Sequence, residues 1–223
     1  VFRFNPGALY ALYTDYAMWM RDYDKAILYS GKLMDLKRYS LLKGTEFAQV
    51  CADGTTSENI WTMKWSYQNN KQNWIIYMMC RTAAPQMIPS EGVKNLWNTE
   101  EYRVDLRRYQ TIDTTIVYAS NHLSSPNGDA SIWKWQPGER VIEANEKYVP
   151  FYRYADILLL RAEALNKQQR QEEALELLNM IRERAGLSLK TMDDFTNASD
   201  RTLAMEDAIL QERQLELLGE GRR

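Results

Sequence analysis

Two amphipathic helices joined by a short polar turn are predicted between Tyr148 and Leu187, and this stretch constrains the fold more than any other. Small and apolar residues recur at helical spacing along both helices. In chain order they are Ala155, Leu158, Leu159, Ala162, Leu165, Ala174, Leu177, Leu178, Ile181 and Ala185. Gly186 supplies a natural C-terminal stop. The stretch is therefore predicted to be an αα-hairpin of tetratricopeptide type, a repeat unit of about 34 residues.

A second helix pair of the same type is predicted between Pro6 and Leu42. Aligning Ala26 with Ala174, 148 positions later, also places Ala17 on Leu165 and Leu33 on Ile181. One face of the first helix is predicted to be lined by Leu9, Leu12, Tyr13, Tyr16, Ala17 and Met20. The aromatic side chains of this helix are predicted to pack inside, namely Tyr10, Tyr13, Tyr16 and Trp19. Because repeats of a plain solenoid follow one another directly, another region must be inserted between the two pairs.

The inserted region has a different character, with short extended pieces and long loops. A strand is predicted at Glu58–Trp65, and Ser90 is a plausible N-cap for a short helix carrying Val93, Leu96 and Trp97. Further pieces are an extended stretch from Thr111 to Tyr118, a loop from Asn121 to Ala130, a short strand at Ile132–Trp135 and a last helix from Thr202 to Gly219.

These predictions combine into a mainly α fold, in which tetratricopeptide-like helix pairs form a platform for a region of short strands and long loops. We expect one domain with four parts. They are a first helix pair at 1–42, the insert at 43–147, a second pair at 148–187 and a terminal helix at 188–223.

Several segments of the chain combine charged and small residues in a distinctive order. One is Arg153-Tyr154-Ala155-Asp156, which is followed by Ala162-Glu163-Ala164-Leu165 and by Ile181-Arg182-Glu183-Arg184-Ala185-Gly186-Leu187. These segments resemble the SusD/RagB family, and the stretch from Gln211 to Arg223 is similar to that family's Glu-Arg-x-x-Glu-Leu-x-x-Glu-Gly-x-Arg segment. Weaker matches are Tyr39-Ser40-Leu41, Ser57-Glu58-Asn59-Ile60 and the Asp-x-Arg element at Asp105-Leu106-Arg107.

The resemblance implies a SusD-like fold and a non-catalytic role in nutrient capture. Members of this family are outer-membrane lipoproteins of Bacteroidetes that bind glycans or peptides on the cell surface. They deliver them to a SusC-like TonB-dependent transporter. The resemblance further implies that the chain is a fragment, and that a signal peptide and the lipid-bearing cysteine lie upstream of Val1. We therefore expect contact with the membrane only through that N-terminal anchor.

Composition removes several classes of function. A net charge of −2 shows no bias toward nucleic acid, so we expect no nucleic-acid partner. The chain has one histidine, His122, and its two cysteines, Cys51 and Cys80, lack metal-ligand spacing. We expect no metal site and no cofactor. A disulfide between the two cysteines and a pair of free thiols both remain open. No apolar stretch is long enough to cross a membrane.

Candidate catalytic groups are few. The sequence contains no nucleophile elbow, phosphate-binding loop or zinc-protease motif. The acid pairs Asp193-Asp194 and Glu172-Glu173 invite a glycosidase interpretation, because such enzymes use two carboxylates. A solvated turn and a helix start explain them better, since acids there complement the helix dipole. We therefore expect the protein not to be an enzyme.

Aromatic residues in polar surroundings are the candidates for ligand binding, because sugar rings stack on flat aromatic faces. Trp74 fits best, with Asn73 beside it and Tyr67 and Tyr77 nearby. Trp65 and Trp97 complete the candidate set. Trp97 falls on the apolar side of its helix and Trp65 shares a strand face with Trp61, so core packing is the competing interpretation for both.

Charged residues in the signature segments have a structural explanation. Arg153 and Asp156 lie three positions apart near a helix start, and Glu212, Glu216 and Glu220 follow one helical stripe. We predict that they form ion pairs between helices rather than a ligand site. Two alternatives to glycan binding stay open: a tetratricopeptide-like scaffold for a protein partner, and capture of peptides instead of glycans.

Overall fold

The computed structural model describes residues 1–65, 79, 87–113, 131–132, 134–135, 148–196 and 198–222, and this part of the chain is mainly helical, as predicted. The helices are α1 (Pro6–Trp19), α2 (Tyr23–Asp35), α3 (Gln49–Ala52), α4 (Glu91–Asn98), α5 (Arg108–Thr111), α6 (Tyr154–Lys167), α7 (Gln171–Arg184) and α8 (Arg201–Glu216). The strands are β1 (Asn59–Met63), β2 (Ile112–Asp113), β3 (Ser131–Ile132) and β4 (Val149–Arg153). Single 3₁₀ turns lie at Gly44–Glu46 and Met192–Phe195.

The first helix pair forms because both of its helices begin at capping residues. The Asn5 side chain accepts a hydrogen bond from the Ala8 N–H at 3.0 Å, and Pro6 occupies the first turn of α1, where its missing N–H is not needed. Asp22 caps α2 by accepting from the Lys25 N–H at 3.2 Å. The turn between the helices contains Arg21 in the left-handed region, at φ 57°.

The prediction of which face of α1 is buried is wrong. The buried residues are small, namely Gly7, Ala8, Ala11, Thr14 and Ala17. Large side chains that were predicted to lie inside are exposed instead, namely Leu12, Tyr13, Tyr16, Trp19 and Met20. Leu9 and Tyr10 are half-buried. Small side chains let α1 approach its neighbours closely, and this close packing turns the large residues of the opposite face toward solvent.

The second helix pair, α6 and α7, has the predicted residues in its core. All ten small and apolar residues that define its pattern are buried. Gln169 adopts φ 62° in the connecting turn, and Gly186 adopts φ 75° just past α7. There the Leu187 N–H donates to the Arg182 carbonyl at 2.9 Å, which satisfies an acceptor at the helix end. Gly186 is therefore the C-terminal stop that the sequence predicts.

The two helix pairs stack directly against each other, although a long insert separates them in sequence. α2 packs along α6, and α1 also contacts α6. Ala17, Ala26 and Ala164 form the centre of this contact. The inserted region therefore does not separate the two helix pairs in space.

The described part of the insert contains short paired strands. β1 pairs with β4 in antiparallel orientation, with Asn59 opposite Arg153, and β2 pairs with β3. The predicted strand at Glu58–Trp65 thus ends two residues early, and only the start of the predicted extended stretch after Thr111 is described. Ser90 caps α4 by accepting from the Val93 N–H, as predicted.

α8 closes the other side of the stack, packing on α6 and α7. Met205 and Ile209 are fully buried there, whereas Leu203, which was predicted on its apolar face, is 54% exposed. Among the helices in the described ranges, none has both the length and the apolar character needed to span a lipid bilayer.

Candidate functional site

The charged residues of the signature segments meet in one cluster, here called the buried ion-pair network. It joins residues from the insert, the second helix pair and the end of α8. Among the described residues, five cations and five carboxylates with buried side chains take part, so their formal charges balance. They are Arg107, Lys134, Arg153, Arg182, Arg184, Glu58, Asp105, Glu212, Glu216 and Glu220.

One half of the network is built around Arg107. Its side chain is fully buried, and its Nε and Nη2 donate to Asp105 at 2.9 and 2.7 Å. Nη2 also reaches Glu212 at 2.8 Å. Glu212 in turn accepts from Arg182 at 2.7 Å and from the Tyr102 hydroxyl at 3.1 Å. The Asp-x-Arg element is therefore held against α8 through Arg107, whose guanidinium Asp105 orients.

The other half is built around Arg153, at the end of β4. Its Nη1 donates to Glu58 at 2.6 Å and to Glu216, and its Nε donates to Glu220 at 2.7 Å. Arg184 also binds Glu216. Glu216 is thus the carboxylate that both halves share, because Arg107 reaches it as well, at 3.2 Å.

Phe47 lies among these cations and is itself fully buried. The Lys134 ammonium is 4.4 Å from its ring centroid, and the guanidinium groups of Arg184 and Arg153 are 4.9 and 5.8 Å away. The negative face of an aromatic ring attracts a cation, and this attraction persists where water is excluded. The ring therefore helps to hold cations that would otherwise be costly to bury.

The carboxylates at the centre of the network stay ionised. Burial alone would raise the pKa of Glu216, but Arg184, Arg153 and Arg107 outweigh burial and hold that pKa well below its ordinary value. Burial opposes ionisation of Glu220 too, and Arg153 and Lys134 lower its pKa. These acids are therefore matched with cations rather than poised to exchange protons. The predicted ion pairs between helices are confirmed for Arg182 with Glu212 and Arg184 with Glu216, whereas Arg153 makes its ion pairs from the end of β4.

A smaller group of charges ties α1 to the segment after α8. Arg222 lies 3.1 Å from Asp15 of α1, and Arg213 lies 3.0 Å from Asp156 of α6. The Tyr152 hydroxyl donates to Asp15 at 2.9 Å. Burial, together with the Asp15 charge, raises the pKa of Tyr152 to about 12.

Trp97 does not present its ring to a ligand, which corrects its place among the candidate binding residues. Its side chain is 1% exposed and packs with Val93, Tyr102 and Leu215. Its indole Nε1 donates to Asp105 of the network at 3.1 Å. The competing interpretation, core packing on the apolar side of α4, describes it better.

Trp65 lies two residues beyond β1 and is half-buried. Within the described part of the chain, its indole N–H has no hydrogen-bond partner. A row of aromatic rings runs along the adjoining strands. Trp61 stacks on Phe151 with ring centroids 4.6 Å apart, and Phe4 meets the edge of Trp61 at 5.3 Å. Trp65 follows the strand that carries Trp61 and is the one described candidate that is not in the core.

The other candidate ligand residues, Tyr67, Asn73, Trp74 and Tyr77, lie outside the described residues, as do Cys80 and His122. Cys51 is buried within α3. In the parts of the chain that the structure describes, no group of three or more histidine, cysteine or acidic residues is arranged to hold a metal ion.

The two acid pairs lie where helix starts explain them. Asp194 forms a capping box with Thr191, and its carboxylate accepts from the Thr191 N–H at 2.6 Å. Glu173, in the first turn of α7, pairs with Arg170 at 2.6 Å.

Sequence reasoning missed the surface of α1 as a candidate site. A cleft of about 290 Å³ lies between α1 and α2 and is lined by Tyr13, Tyr16, Ala17, Met20, Asp22, Lys25 and Tyr29. A second cleft, of about 330 Å³, lies beside Trp19 where α1 meets α6 and α8. In the sequence, this surface could have been found from the stripe of small residues on the opposite face of α1, because that face is the buried one.

Comparison with known families matches residues 61–223 to the SusD family. Among curated proteins, SusD-like protein P38 of Formosa agariphila is 52% identical over 75 residues, which cover 32% of this chain and 15% of P38. SusD-like protein P2 of the same species is 30% identical over 155 residues, which cover 61% of this chain and 29% of P2.

Solved structures share the fold. A SusD superfamily protein from Bacteroides thetaiotaomicron superposes with a TM-score of 0.75 at 22% identity, over 97% of this chain and 48% of that protein. A SusD-like carbohydrate binding protein from Bacteroides vulgatus gives 0.74 at 19%, over 99% and 44%. Surface glycan-binding protein A from Bacteroides uniformis gives 0.71 at 22%, over 97% and 47%. The chain therefore spans about half the length of these structures.

Proposed function

The chain belongs to the SusD family, and from that membership we propose that it is part of a cell-surface protein that binds glycans without catalysing a reaction. The observation that carries this proposal is the match of residues 61–223 to the family. Two proteins of the same fold are described as carbohydrate binding and glycan-binding, which favours a glycan over a peptide as the ligand.

The proposal extends to the place and partner of the protein. We propose that the full-length protein is held at the outer membrane by an N-terminal lipid and delivers its ligand to a SusC-like TonB-dependent transporter. Family membership supports both points.

The buried ion-pair network supports a binding role through rigidity. Its ten charges connect three separate parts of the chain, and Glu216 alone contacts Arg107, Arg153 and Arg184. A scaffold fixed in this way holds loops at constant positions, which lowers the entropy cost of binding a flexible ligand. Because the central acids are matched by cations, the network supplies no proton donor for glycoside cleavage.

We propose that the ligand contacts the aromatic segment that begins at Trp65. Trp65 follows the strand that carries Trp61, whose ring stacks on Phe151, and Tyr67, Asn73, Trp74 and Tyr77 come after it in sequence. Flat rings give a sugar its stacking surface, and the amide of Asn73 supplies hydrogen bonds. Trp97 is left out because it is buried.

A glycan and peptide array on the full-length protein tests the proposal, with Trp65→Ala and Trp74→Ala beside it. We expect binding to one class of polysaccharide, lost in Trp74→Ala with little change in the melting temperature. Tyr109→Ala is a suitable control, because Tyr109 is 73% exposed and lies on α5, outside the proposed surface.

Three outcomes would contradict the proposal in different ways. Binding to peptides alone would reassign the ligand class. A large loss of stability in Trp74→Ala would show that this residue belongs to the core. No binding to either class, together with capture of a protein by the helix pairs, would favour the scaffold alternative.

A further inference from the structure

The cleft of about 330 Å³ lies where α1, α6 and α8 meet, and the proposed glycan surface does not use it. Its apolar lining comes from each of the three helices, with Met18 on α1, Leu160 on α6 and Leu210 on α8. The base of the cleft is therefore formed by the helix stack itself.

Strand β4 separates this cleft from the aromatic rings near Trp61. Phe151 and Tyr152 are neighbours on β4, and consecutive side chains of a strand point to opposite faces. Phe151 stacks on Trp61, whereas the Tyr152 hydroxyl donates at 2.9 Å to Asp15, which lines the cleft. A ligand in the cleft therefore lies on the other face of β4 from a ligand that contacts Trp61.

Charged side chains of both signs line the cleft. They are Asp15, Glu163, Glu206, Arg213 and Arg222. Asp15 and Arg222 pair with each other at 3.1 Å, and Glu206 pairs with Lys167 of α6. Acidic side chains of the described ranges are nowhere grouped in threes so as to hold a metal ion. Because opposite charges lie side by side, the cleft suits a neutral ligand that both donates and accepts hydrogen bonds better than it suits an ion.

Two of these carboxylates keep one oxygen available for a ligand. Both contacts of Asp15 use its Oδ2, and the contact of Glu206 with Lys167 uses Oε2. Among the described residues, no group contacts Oδ1 of Asp15 or Oε1 of Glu206 by a hydrogen bond or an ion pair. The Asp15 and Glu206 side chains are 39% and 18% exposed, so a ligand that enters the cleft can reach both.

Trp19 supplies an aromatic ring at the mouth of the cleft. It is 84% exposed, more than any other large apolar side chain that the structure describes. Asp15 lies four positions earlier on α1, so the two side chains are neighbours on the helix surface. An open ring beside acceptor oxygens matches a sugar, whose C–H face packs on the ring while its hydroxyls donate to the carboxylates.

We propose that this cleft is a second saccharide-binding site, which takes one neutral sugar residue. The pyranose ring lies against Trp19, and two of its hydroxyls donate to Asp15 and Glu206. The Arg222 guanidinium, held by Asp15 and by the Tyr152 ring at 4.5 Å, is placed to donate to a hydroxyl oxygen. The volume lies near the lower limit for small-molecule sites, which fits one sugar ring better than a longer segment.

The inference rests on the proposed function for its ligand class, but not on the surface proposed around Trp65 and Trp74. Two sites on one protein can hold two segments of the same polysaccharide. Binding of the second segment is then intramolecular, which raises the overall affinity without a tighter contact at either site.

Fluorine NMR of the full-length protein labelled with fluorotryptophan tests the site. The Trp19 resonance is identified as the one that disappears in Trp19→Phe. The probes are methyl α-glucoside, methyl α-mannoside and methyl β-galactoside. We expect at least one of them to shift the Trp19 resonance saturably, with a dissociation constant of about 1–10 mM, as befits a ligand of about a dozen heavy atoms. The same shift should appear in Trp74→Ala, because the two sites are separate.

Two variants show whether the cleft itself is responsible. Glu206→Ala should weaken the binding about tenfold, because it removes a charged hydrogen-bond acceptor. Tyr16→Ala is the matched control and should bind as the parent does. Tyr16 is 60% exposed on the same helix but does not line this cleft. Equal binding by Glu206→Ala and the parent would overturn the proposed role of the cleft.

The remaining outcomes separate this inference from the proposed function. A Trp19 resonance that no glycoside shifts, in a protein that binds polysaccharide on the array, overturns the second site alone. A silent array with a saturable Trp19 shift supports the second site and refutes the first surface. An equal shift with sorbitol, which has no ring, overturns the inference. A sugar-free protein whose Trp19 resonance a soluble nitroxide does not broaden also overturns it, because another part of the full-length protein then fills the cleft.

Discussion

Arg107 and Glu212 form an ion pair of 2.8 Å in which both side chains are completely buried, although they lie 105 positions apart in the chain. The pair joins the Asp-x-Arg element of the insert to the middle of α8. Burying two charges is costly, and the cost is offset only when each charge has further partners. Asp105 completes the contacts of Arg107, and Arg182 completes those of Glu212.

Removing the charge of Glu212 should therefore destabilise the protein strongly. Glu212→Gln leaves two buried guanidinium groups with fewer compensating charges, and we expect the free energy of unfolding to fall by about 3–5 kcal/mol. Chemical denaturation measures the change. The matched control is Glu173→Gln, since the Glu173–Arg170 pair is exposed and should leave the midpoint nearly unchanged. Equal effects of both variants would contradict the structural role of the network.

Stability should also depend on pH through Glu216 and Glu220. Their pKa values are lowered in the folded protein, whereas in the unfolded chain they titrate near about 4.3. Between the folded and unfolded pKa values the unfolded state binds more protons, so stability falls as the pH drops through that window. We expect a constant melting temperature near neutral pH and a fall once the pH drops below about 4.3.

Substituting Glu216 tests the origin of this pH dependence. Glu216→Gln should melt at a lower temperature than the parent protein at neutral pH. Its melting temperature should then fall less on acidification than that of the parent. Glu176→Gln, at an exposed position of α7, should reproduce the parent curve. If the melting temperature of Glu216→Gln falls as steeply at acid pH as that of the parent, the pH dependence comes from other groups.

Trp97→Phe should separate packing from hydrogen bonding in the core. Phenylalanine keeps an apolar ring against Val93 and Tyr102 but removes the Nε1 donor that Asp105 accepts. Leaving a buried acceptor with one fewer partner costs about 1–3 kcal/mol. We expect a loss of that size in urea denaturation, with ligand binding retained in the fraction that folds. Loss of binding at unchanged stability would instead indicate that Trp97 contacts the ligand.

Gly44 tests a close backbone approach between the insert and the end of α7. A Cβ atom at position 44 would collide with the backbone carbonyl oxygen of Arg184 and with the Leu106 side chain, so Gly44→Ala should lower the melting temperature clearly. Gly92→Ala is the control. A Cβ there meets only Ser90 at 3.8 Å, and alanine favours the helix α4, so its melting temperature should be equal or higher.

Local sequence pattern was sufficient for the helices of eight residues or more, but it did not predict the short helices α3 and α5. The second pair, the Ser90 cap and the Gly186 stop were predictable because each depends on residues a few positions apart. The buried face of α1 was not, because the helix carries large apolar residues on one side and a small-residue stripe on the other. Which side faces inward depends on how closely α2 and α6 approach, and that is a tertiary property.

The candidate site was also predictable only in part from the sequence. The charges at Arg153, Glu212 and Glu216 were predicted to form ion pairs, but their complete burial was not, since sequence alone does not show what covers a charged side chain. Trp97 and Trp65 were equally plausible ligand residues by composition. Their environments separated them: Trp97 lies in the core, and Trp65 is half-buried and follows the exposed Met63 and Lys64.

The position of Glu212, Glu216 and Glu220 late in the chain has a consequence for the order of folding. Their cationic partners Arg107 and Arg153 are synthesised earlier and pair only with Asp105 and Glu58 until α8 and the segment after it have been made. Burying those arginines before that moment is unfavourable. The insert and the second helix pair should therefore stay loosely associated on the ribosome and lock together in one late, cooperative step.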